Sequence, residues 1–477
     1  MRAPTSPAEP GREAVRRGVV PAGAPEDVPP PAVSDALPAS WENRPSMPEI
    51  SPRPEGMVRW FTPGLNVKRW LVLLFAAIVL LSLAVGYALR EAYSAKFAFP
   101  GFVGPLTLQF LPRWSRAVLF LGLAFAMGGL AFYRLGRSVL GPFLPLAATG
   151  GSGVVEQIYT HRLLAKGPRL VAIGGGTGMS SMLRGIKKYT GNISAIVTVA
   201  DDGGSSGRLR SEYRVLPPGD FRQCLTALAE TEPLMTSLFS HRFTGEGSLS
   251  GHSFGNLFIM AMAEITGDFE HALQASGRVL RVRGQIMPST LQDVVLCASA
   301  GGEIRIGESR IPHGGGPIDR VFLDPPCPQI NPEAELAILD AELIVVGPGS
   351  LYTSILPNLL LDGLVEALRA SPAVKVYVCN VATQPGETEG FSVSEHLEAI
   401  EKHVGGNLFD YVVCNSNHGL PLPPSAVEAG ITRVVFDRER ASRRPLHFIL
   451  ADVVSPRIST HHDPEKLARV LMKRVWR

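Results

Sequence analysis

From Arg169 to the C-terminus, short unbroken apolar runs alternate with stretches whose apolar residues recur every three or four positions. The runs are Leu170-Val171-Ala172-Ile173, Ile193 to Ala200, Leu343-Ile344-Val345-Val346, Val374 to Cys379 and Tyr411-Val412-Val413-Cys414. Runs without polar alternation predict strands buried on both faces, as in a parallel sheet. Between them, Met179, Met182, Leu183 and Ile186 share one helical face, with Arg184, Lys187 and Lys188 opposite. Phe391 to Val404 predicts another helix. Strand and helix in alternation over residues 168–477 predict a Rossmann-like, doubly wound, mostly parallel α/β domain.

Ahead of this domain the pattern changes. Trp70 to Leu89 carries no charge. At 1.5 Å per residue, about 20 residues match a ~30 Å hydrocarbon core. Lys68, Arg69 and Arg90 flank the run, and Trp70 and Tyr87 stand where interfacial aromatics belong. A second run, Ala117 to Tyr133, is shorter and contains Gly122, Gly128 and Gly129, which let two helices approach closely. The expectation is a two-helix transmembrane hairpin within residues 59–140, with spans near 70–89 and 117–133. Basic residues on both sides of the spans leave its orientation open. The chemistry of the large domain places that domain in the cytoplasm, as part of a multi-pass cell-membrane protein. Residues 1–58 are rich in proline around Pro29-Pro30-Pro31 and too poor in apolar side chains to offset ordering entropy, so they read as a disordered tail. Residues 141–167, broken by Gly-Pro and Gly-Ser-Gly, read as a linker.

A net charge of +3 over 477 residues gives no electrostatic case for nucleic acid. The cysteines are Cys224, Cys297, Cys327, Cys379 and Cys414, scattered and without a Cys-x-x-Cys pair. They argue against a disulfide framework or a zinc site and fit a reducing compartment.

The candidate chemistry sits on loops that follow the predicted strands. The first is Gly174-Gly175-Gly176-Thr177-Gly178, with a helix opening at once. Glycines let backbone amides approach an anion, and a helix N-terminus favours negative charge, so a diphosphate is the natural guest. The plainer reading is a tight strand–helix turn. No Gly-Lys-Ser/Thr follows, so this is not a P-loop. Met179 stands where a dinucleotide fingerprint has its third glycine. The second loop is Asp201-Asp202-Gly203-Gly204-Ser205-Ser206-Gly207-Arg208. Its carboxylates suit a ribose hydroxyl or hydrated Mg²⁺, and Arg208 offers a fork for phosphate. A solvated, capped turn is the alternative. Asp220, in Pro217-Pro218-Gly219-Asp220, and Asn256, before an apolar helix, each read equally as ligand contact or helix cap. The third loop, Gly347-Pro348-Gly349-Ser350-Leu351-Tyr352-Thr353-Ser354, again joins a strand to a helix. Asn380, Thr383 and Gln384 follow the next strand and fall on the same edge. His461-His462-Asp463 reads as a cap region, and no metal is assigned to it.

Taken together, Ile173 to Gly178, Val199 to Leu209, Pro217 to Asp220 and Gly347 to Ser354 resemble the YvcK-type proteins, the gluconeogenesis factors of the CofD-like (2-phospho-L-lactate transferase) superfamily. The likeness covers roughly residues 168–470. It implies a Rossmann-like fold, a cytoplasmic domain, a nucleotide sugar such as UDP-N-acetylglucosamine as ligand, and a part in cell shape and envelope or carbon metabolism. The tail and hairpin lie outside the family's common pattern. On this reading the nucleotide contacts are Gly174, Gly175, Gly176, Thr177, Gly178, Asp201, Asp202, Gly203, Gly204, Ser205, Ser206, Arg208, Asp220, Asn256, Gly347, Gly349, Ser350, Tyr352 and Asn380. Catalytic residues are not assigned, Mg²⁺ is admitted as an accessory ion, and a homo-oligomer is compatible. The rival function is a Mg²⁺-dependent transferase of the phospholactyl type. An NAD-dependent oxidoreductase is disfavoured by the missing third glycine.

Overall fold

A computed structural model describes residues 163–230 and 233–476, with scattered positions between 78 and 129. Contacts divide the chain at Pro45/Ser46, and every residue of the first unit lies outside those described. The predicted tail, most of the predicted hairpin and nearly all of the linker also lie outside them. Among the described residues no helix is long and apolar enough to cross a membrane.

The main sheet has seven strands, all parallel. They are β1 (Leu170–Gly174), β2 (Ile193–Val197), β3 (Gln285–Pro288), β7 (Leu343–Val346), β8 (Val374–Val378), β9 (Tyr411–Asn415) and β10 (His447–Ala451). Their spatial order is β3-β2-β1-β7-β8-β9-β10. Every residue of β1, β7 and β9 is buried. Strands covered by helices on both faces have no need of polar alternation, which is why these were legible as apolar runs.

The chain winds outward from β1 to β3 and then returns to pair β7 against the other side of β1. Leu170–Ile173 lie in register with Leu343–Val346. The β1/β7 boundary is therefore the topological switch point, where a crevice opens beyond the strand C-termini. Helix α1 (Gly176–Ile186) starts at that crevice and buries Met179, Met182, Leu183 and Ile186. Its Gly185 meets the C-terminal helix Pro464–Val470 so closely that a Cβ would lie 1.9 Å from the Pro464 carbonyl oxygen. Helices α2 (Gly204–Tyr213), α3 (Pro218–Leu228), α4 (Pro233–Ser240), α5 (Phe254–Thr266) and α6 (Phe269–Val279) fill the path from β2 to β3.

Three features depart from the sequence expectation. Strand β10 is an edge with His447 exposed, Phe448 and Leu450 half-buried and Ile449 and Ala451 buried, and β3 is a four-residue edge ending in proline. Strand β3 holds only Ile286-Met287 as an apolar run, whereas β10 carries Phe448-Ile449-Leu450-Ala451, a run the sequence expectation passed over. A separate antiparallel sheet, β4 (Val295–Ala300), β5 (Glu303–Ile306) and β6 (Ile318–Asp324), is inserted between β3 and β7. It has strong alternation in β6 only, with glycine-rich turns on either side. The helix expected over 391–404 begins at Val393, capped reciprocally by Ser392 and Glu395.

Candidate functional site

At the switch point, Gly178 lets the first turn of α1 rest on the β7 loop. A Cβ at Gly178 would lie 2.6 Å from the Pro348 carbonyl oxygen and 3.2 Å from the Gly349 nitrogen. Gly347, at φ 82°, turns the chain away from β7 in a conformation open mainly to glycine. The two loops thus touch, and a cleft of about 630 Å³ lies above them. Gly175, Gly176, Thr177, Gly178, Asp201, Asp220, Gly349, Ser350 and Asn380 all line it. So do Ser181, Gln223, Glu308, Ser354, Thr383, Gln384, Glu387, Thr460, His461 and His462. A cleft of this size is within the usual range for small-molecule sites, about 300–1,000 Å³.

Asp220 has a role that neither sequence reading contained. It sits in the first turn of α3 but serves α1: its Oδ2 accepts the Gly176 N–H at 2.7 Å. The N-cap of α1 is Gly175, which has no side chain to do this. Gly176 therefore spends its amide inside the protein. The next two amides of the first turn, on Thr177 and Gly178, have no acceptor within the helix by its geometry. Gly178 packs on Pro348 and Gly349 of the β7 loop, and Thr177 and Ser350 line the same cleft. That loop is braced in turn by Asn380, whose Nδ2 donates to the Gly349 carbonyl at 2.9 Å, and by Gln384, whose Nε2 donates to Ser350 Oγ at 2.6 Å.

Each of the paired aspartates accepts a backbone amide hydrogen. Asp201 Oδ1 accepts the Gly203 N–H at 2.9 Å, and Asp202 Oδ1 accepts the Ser309 N–H at 2.8 Å. Asp202 is absent from the cleft lining. It instead anchors the 3₁₀ turn Glu308–His313, and that turn delivers Glu308 to the cleft. Gly174, Gly203, Gly204, Ser205, Ser206, Arg208, Asn256, Gly347 and Tyr352 also do not line the cleft. Behind it, Ser205 Oγ lies 3.0 Å from His252 Nδ1 and accepts from Asn256 Nδ2 at 3.0 Å, while Arg222 Nε donates to Asn256 Oδ1 at 3.0 Å. This buried network locks α2, α3 and α5 together. Arg208 does not line the cleft, and its Nη2 donates to the Ser250 carbonyl at 2.7 Å. Tyr352 is buried, with its ring edge-on to Phe391. Asp463 caps the C-terminal helix by accepting from the Glu465 and Lys466 amides, as a cap reading requires.

The cleft wall is acidic. Burial, then the charges of Asp201, Asp202, Glu387 and Asp220, push the Glu308 carboxyl up to about 8. Burial and Asp201 raise Asp220 to about 6. Burial raises Glu387 to about 7, against hydrogen bonds from Thr353 and the Tyr352 amide. Asp201 is raised too, chiefly by burial. Near neutral pH such a wall holds protons and presents O–H donors as well as acceptors. Sugar and ribose hydroxyls suit it better than a bare anion does.

For Glu308 the sign of the linkage is plain. Its folded value lies above the ordinary 4.5, so the folded state binds the extra proton between pH 4.5 and about 8, and stability falls as pH rises through that window. Replacing Glu308 with glutamine is expected to stabilise the protein by about 1–3 kcal/mol at pH 8.5 and by almost nothing at pH 4. Urea denaturation at the two pH values measures this, and an equal gain at both would refute it.

Among the described residues no three carboxylate, imidazole or thiolate groups gather to hold a metal. Asp201 Oδ1 and Asp220 Oδ2 already accept amide hydrogens. The residues do not fit a preformed Mg²⁺ site, and no chemical step is routed through one.

Fold and cleft define a doubly wound α/β protein whose glycine-rich loops meet at the switch point. The family profile described as 2-phospho-L-lactate transferase CofD matches residues 170–454. A putative gluconeogenesis factor of Nostoc sp. is 43% identical over 426 residues, covering 87% of this chain and 92% of the relative. The gluconeogenesis factor of Bacillus subtilis is 46% identical over 308 residues, covering 64% of this chain and 97% of its own. A crystal structure of a UPF0052 family protein from Bacillus halodurans superposes with a TM-score of 0.62 at 42% identity, over 65% of this chain and 99% of that one. The chain belongs to the YvcK-type gluconeogenesis-factor family of the CofD-like superfamily. The Nostoc match is longer than residues 163–477 can supply, so it continues into the N-terminal region. That region is therefore not wholly foreign to the family, contrary to the sequence expectation.

Proposed function

We propose that the switch-point cleft binds a nucleotide sugar of the UDP-N-acetylglucosamine type, and that the chain is a membrane-tethered regulator of gluconeogenic growth, cell shape and envelope metabolism. The observation that carries the reading is the meeting of two glycine loops at the start of α1, beneath a wall of protonatable carboxylates. The diphosphate would lie against the Thr177 and Gly178 amides and Ser350, and sugar hydroxyls would face Glu308 and Asp201. The names of the Nostoc and Bacillus relatives support the metabolic part. The apolar runs at 70–89 and 117–133 support the tether, with a cytoplasmic domain.

A second reading, a transferase of the kind named by the family profile, draws on the same cleft. Calorimetric titration of UDP-N-acetylglucosamine in EDTA and then in Mg²⁺ separates the two. A regulator binds with affinity changing less than about threefold, well under 1 kcal/mol, and returns the ligand intact. A transferase binds nucleotide diphosphate more tightly with Mg²⁺ and forms a phosphodiester on a deazaflavin acceptor, a product lost in Asp201→Asn. Absence of UDP-sugar binding under either condition would sink the first reading. Alkaline carbonate extraction tests the tether separately: the full chain is expected in the pellet.

A further inference from the structure

The charge lining the switch-point cleft is at odds with a bare anionic guest. Carboxyls enter it from four elements: Asp201 from the β2 loop, Asp220 from α3, Glu308 from the 3₁₀ turn and Glu387 from the segment after β8. Among the described residues that line the cleft, none is lysine or arginine. Its two histidines do not restore the balance. Burial lowers His461, and it lowers His462 to about 4, so both rings are neutral near pH 7.

The nearby cations are turned to other partners. Arg210, which acts on Asp201, holds Asp293 at 2.5 Å. Arg222, which acts on Asp220, donates from Nε to Asn256 Oδ1 at 3.0 Å. Packed on the turn that carries Glu308, Arg305 of β5 is bound to the Ile311 and Gly315 carbonyls, and Arg310 and His313 of the turn itself are exposed. The charges that reach Glu308 are those of Asp201, Asp202, Glu387 and Asp220, all of one sign. Glu387 accepts the Tyr352 N–H and the Thr353 hydroxyl, each at 3.2 Å, and Glu389 beside it takes the Gly386 N–H at 2.8 Å.

We infer that the cleft takes up protons on Glu308 and Glu387 as it binds its nucleotide sugar, so that occupancy of the site falls as pH rises. The inference rests on the nucleotide-sugar reading of the cleft. The diphosphate of such a ligand is fully ionised across the neutral range and has no proton to exchange there. In a partly buried cleft, ionised carboxyls at contact distance repel it strongly. A cation or a proton can relieve that repulsion, and the donor set gathers no cation site. Protonation needs only carboxyls that titrate near neutrality. Burial and neighbouring charge hold Glu308 at about 8, and burial holds Glu387 at about 7. An arriving diphosphate pushes both further up. The complex then binds more protons than the free protein, and affinity declines as pH rises through the free-state values. A protonated carboxyl also donates its O–H to a phosphate or sugar oxygen.

The test titrates UDP-N-acetylglucosamine into the full chain in detergent micelles with EDTA, by calorimetry, in HEPES and in Tris. The two buffers differ in ionisation enthalpy, so the difference in heat counts protons. At about pH 7.5 roughly one proton is expected to enter per ligand, and affinity is expected to fall at least about fivefold between about pH 6.5 and 8.5. Glu308→Gln is expected to bind about fourfold more tightly than wild type at the higher pH and to take up fewer protons. Binding with equal heats in the two buffers and the same affinity at both pH values overturns the inference. So does binding that needs Mg²⁺ and takes up no proton, or a Glu308→Gln affinity that falls as steeply as that of wild type. Those outcomes leave the nucleotide-sugar reading standing. No binding at either pH, with or without Mg²⁺, sinks that reading and the inference with it.

Discussion

Replacing Gly178 with alanine is expected to pry the β1 and β7 loops apart and lower nucleotide-sugar affinity at least tenfold. The added Cβ would stand 2.6 Å from a backbone carbonyl oxygen, where no flexible side chain can swing away. The backbone itself must shift, and strain of this kind costs about 1–3 kcal/mol or more in a packed interior. Gly176 is the informative control. Its amide is already bonded to Asp220, and a Cβ there would meet only Ser354 Oγ, at 3.8 Å. The cost of Gly176→Ala is conformational, about 1–2 kcal/mol for a left-handed φ of 67°. Urea denaturation and calorimetry on both variants check the contrast. Equal loss of affinity at the two positions would mean that loop contact is not what shapes the cleft.

Asp220→Ala is expected to destabilise the protein by about 1–3 kcal/mol at pH 5, because it strips the Gly176 N–H of its acceptor. At pH 8 the loss is expected to shrink. Burial and Asp201 raise the Asp220 carboxyl to about 6, so above that pH its charge is itself unfavourable, and removing it returns part of the cost. Asp220→Asn keeps an acceptor oxygen without the charge. It is expected to equal or exceed the wild type in stability at pH 8 while retaining ligand binding. Denaturation of the three proteins at both pH values is the measurement. An asparagine variant as unstable as the alanine variant would show that the carboxylate charge, not the hydrogen bond, holds α1 in place.

The sheet centre and the two glycine loops were legible because each is local. Leu343–Val346 is an apolar run, and Gly347 to Ser354 follows it in sequence as in space. What sequence could not place was contributed across the fold. Glu308 reaches the cleft from a three-stranded insertion in which only β6 alternates strongly, and its neighbour Ser309 is held by Asp202, 107 positions earlier. Asp220 looked like a cap for its own helix and caps its neighbour's. Ser205, Arg208 and Asn256 carry residue types common in ligand sites, yet their side chains satisfy one another or a carbonyl behind the cleft. Glu387 left a fainter signal, since it stands beyond Asn380, Thr383 and Gln384 in the segment that follows β8. Position after a buried strand predicts the cleft better than residue type does.

A crystal structure of residues 163–477 with UDP-N-acetylglucosamine tests the cleft assignment most directly. Diphosphate density is expected between the Thr177–Gly178 amides and Ser350, with the sugar against Glu308 and Asp201. Nucleotide density at any other part of the molecule, with this cleft empty, would contradict it.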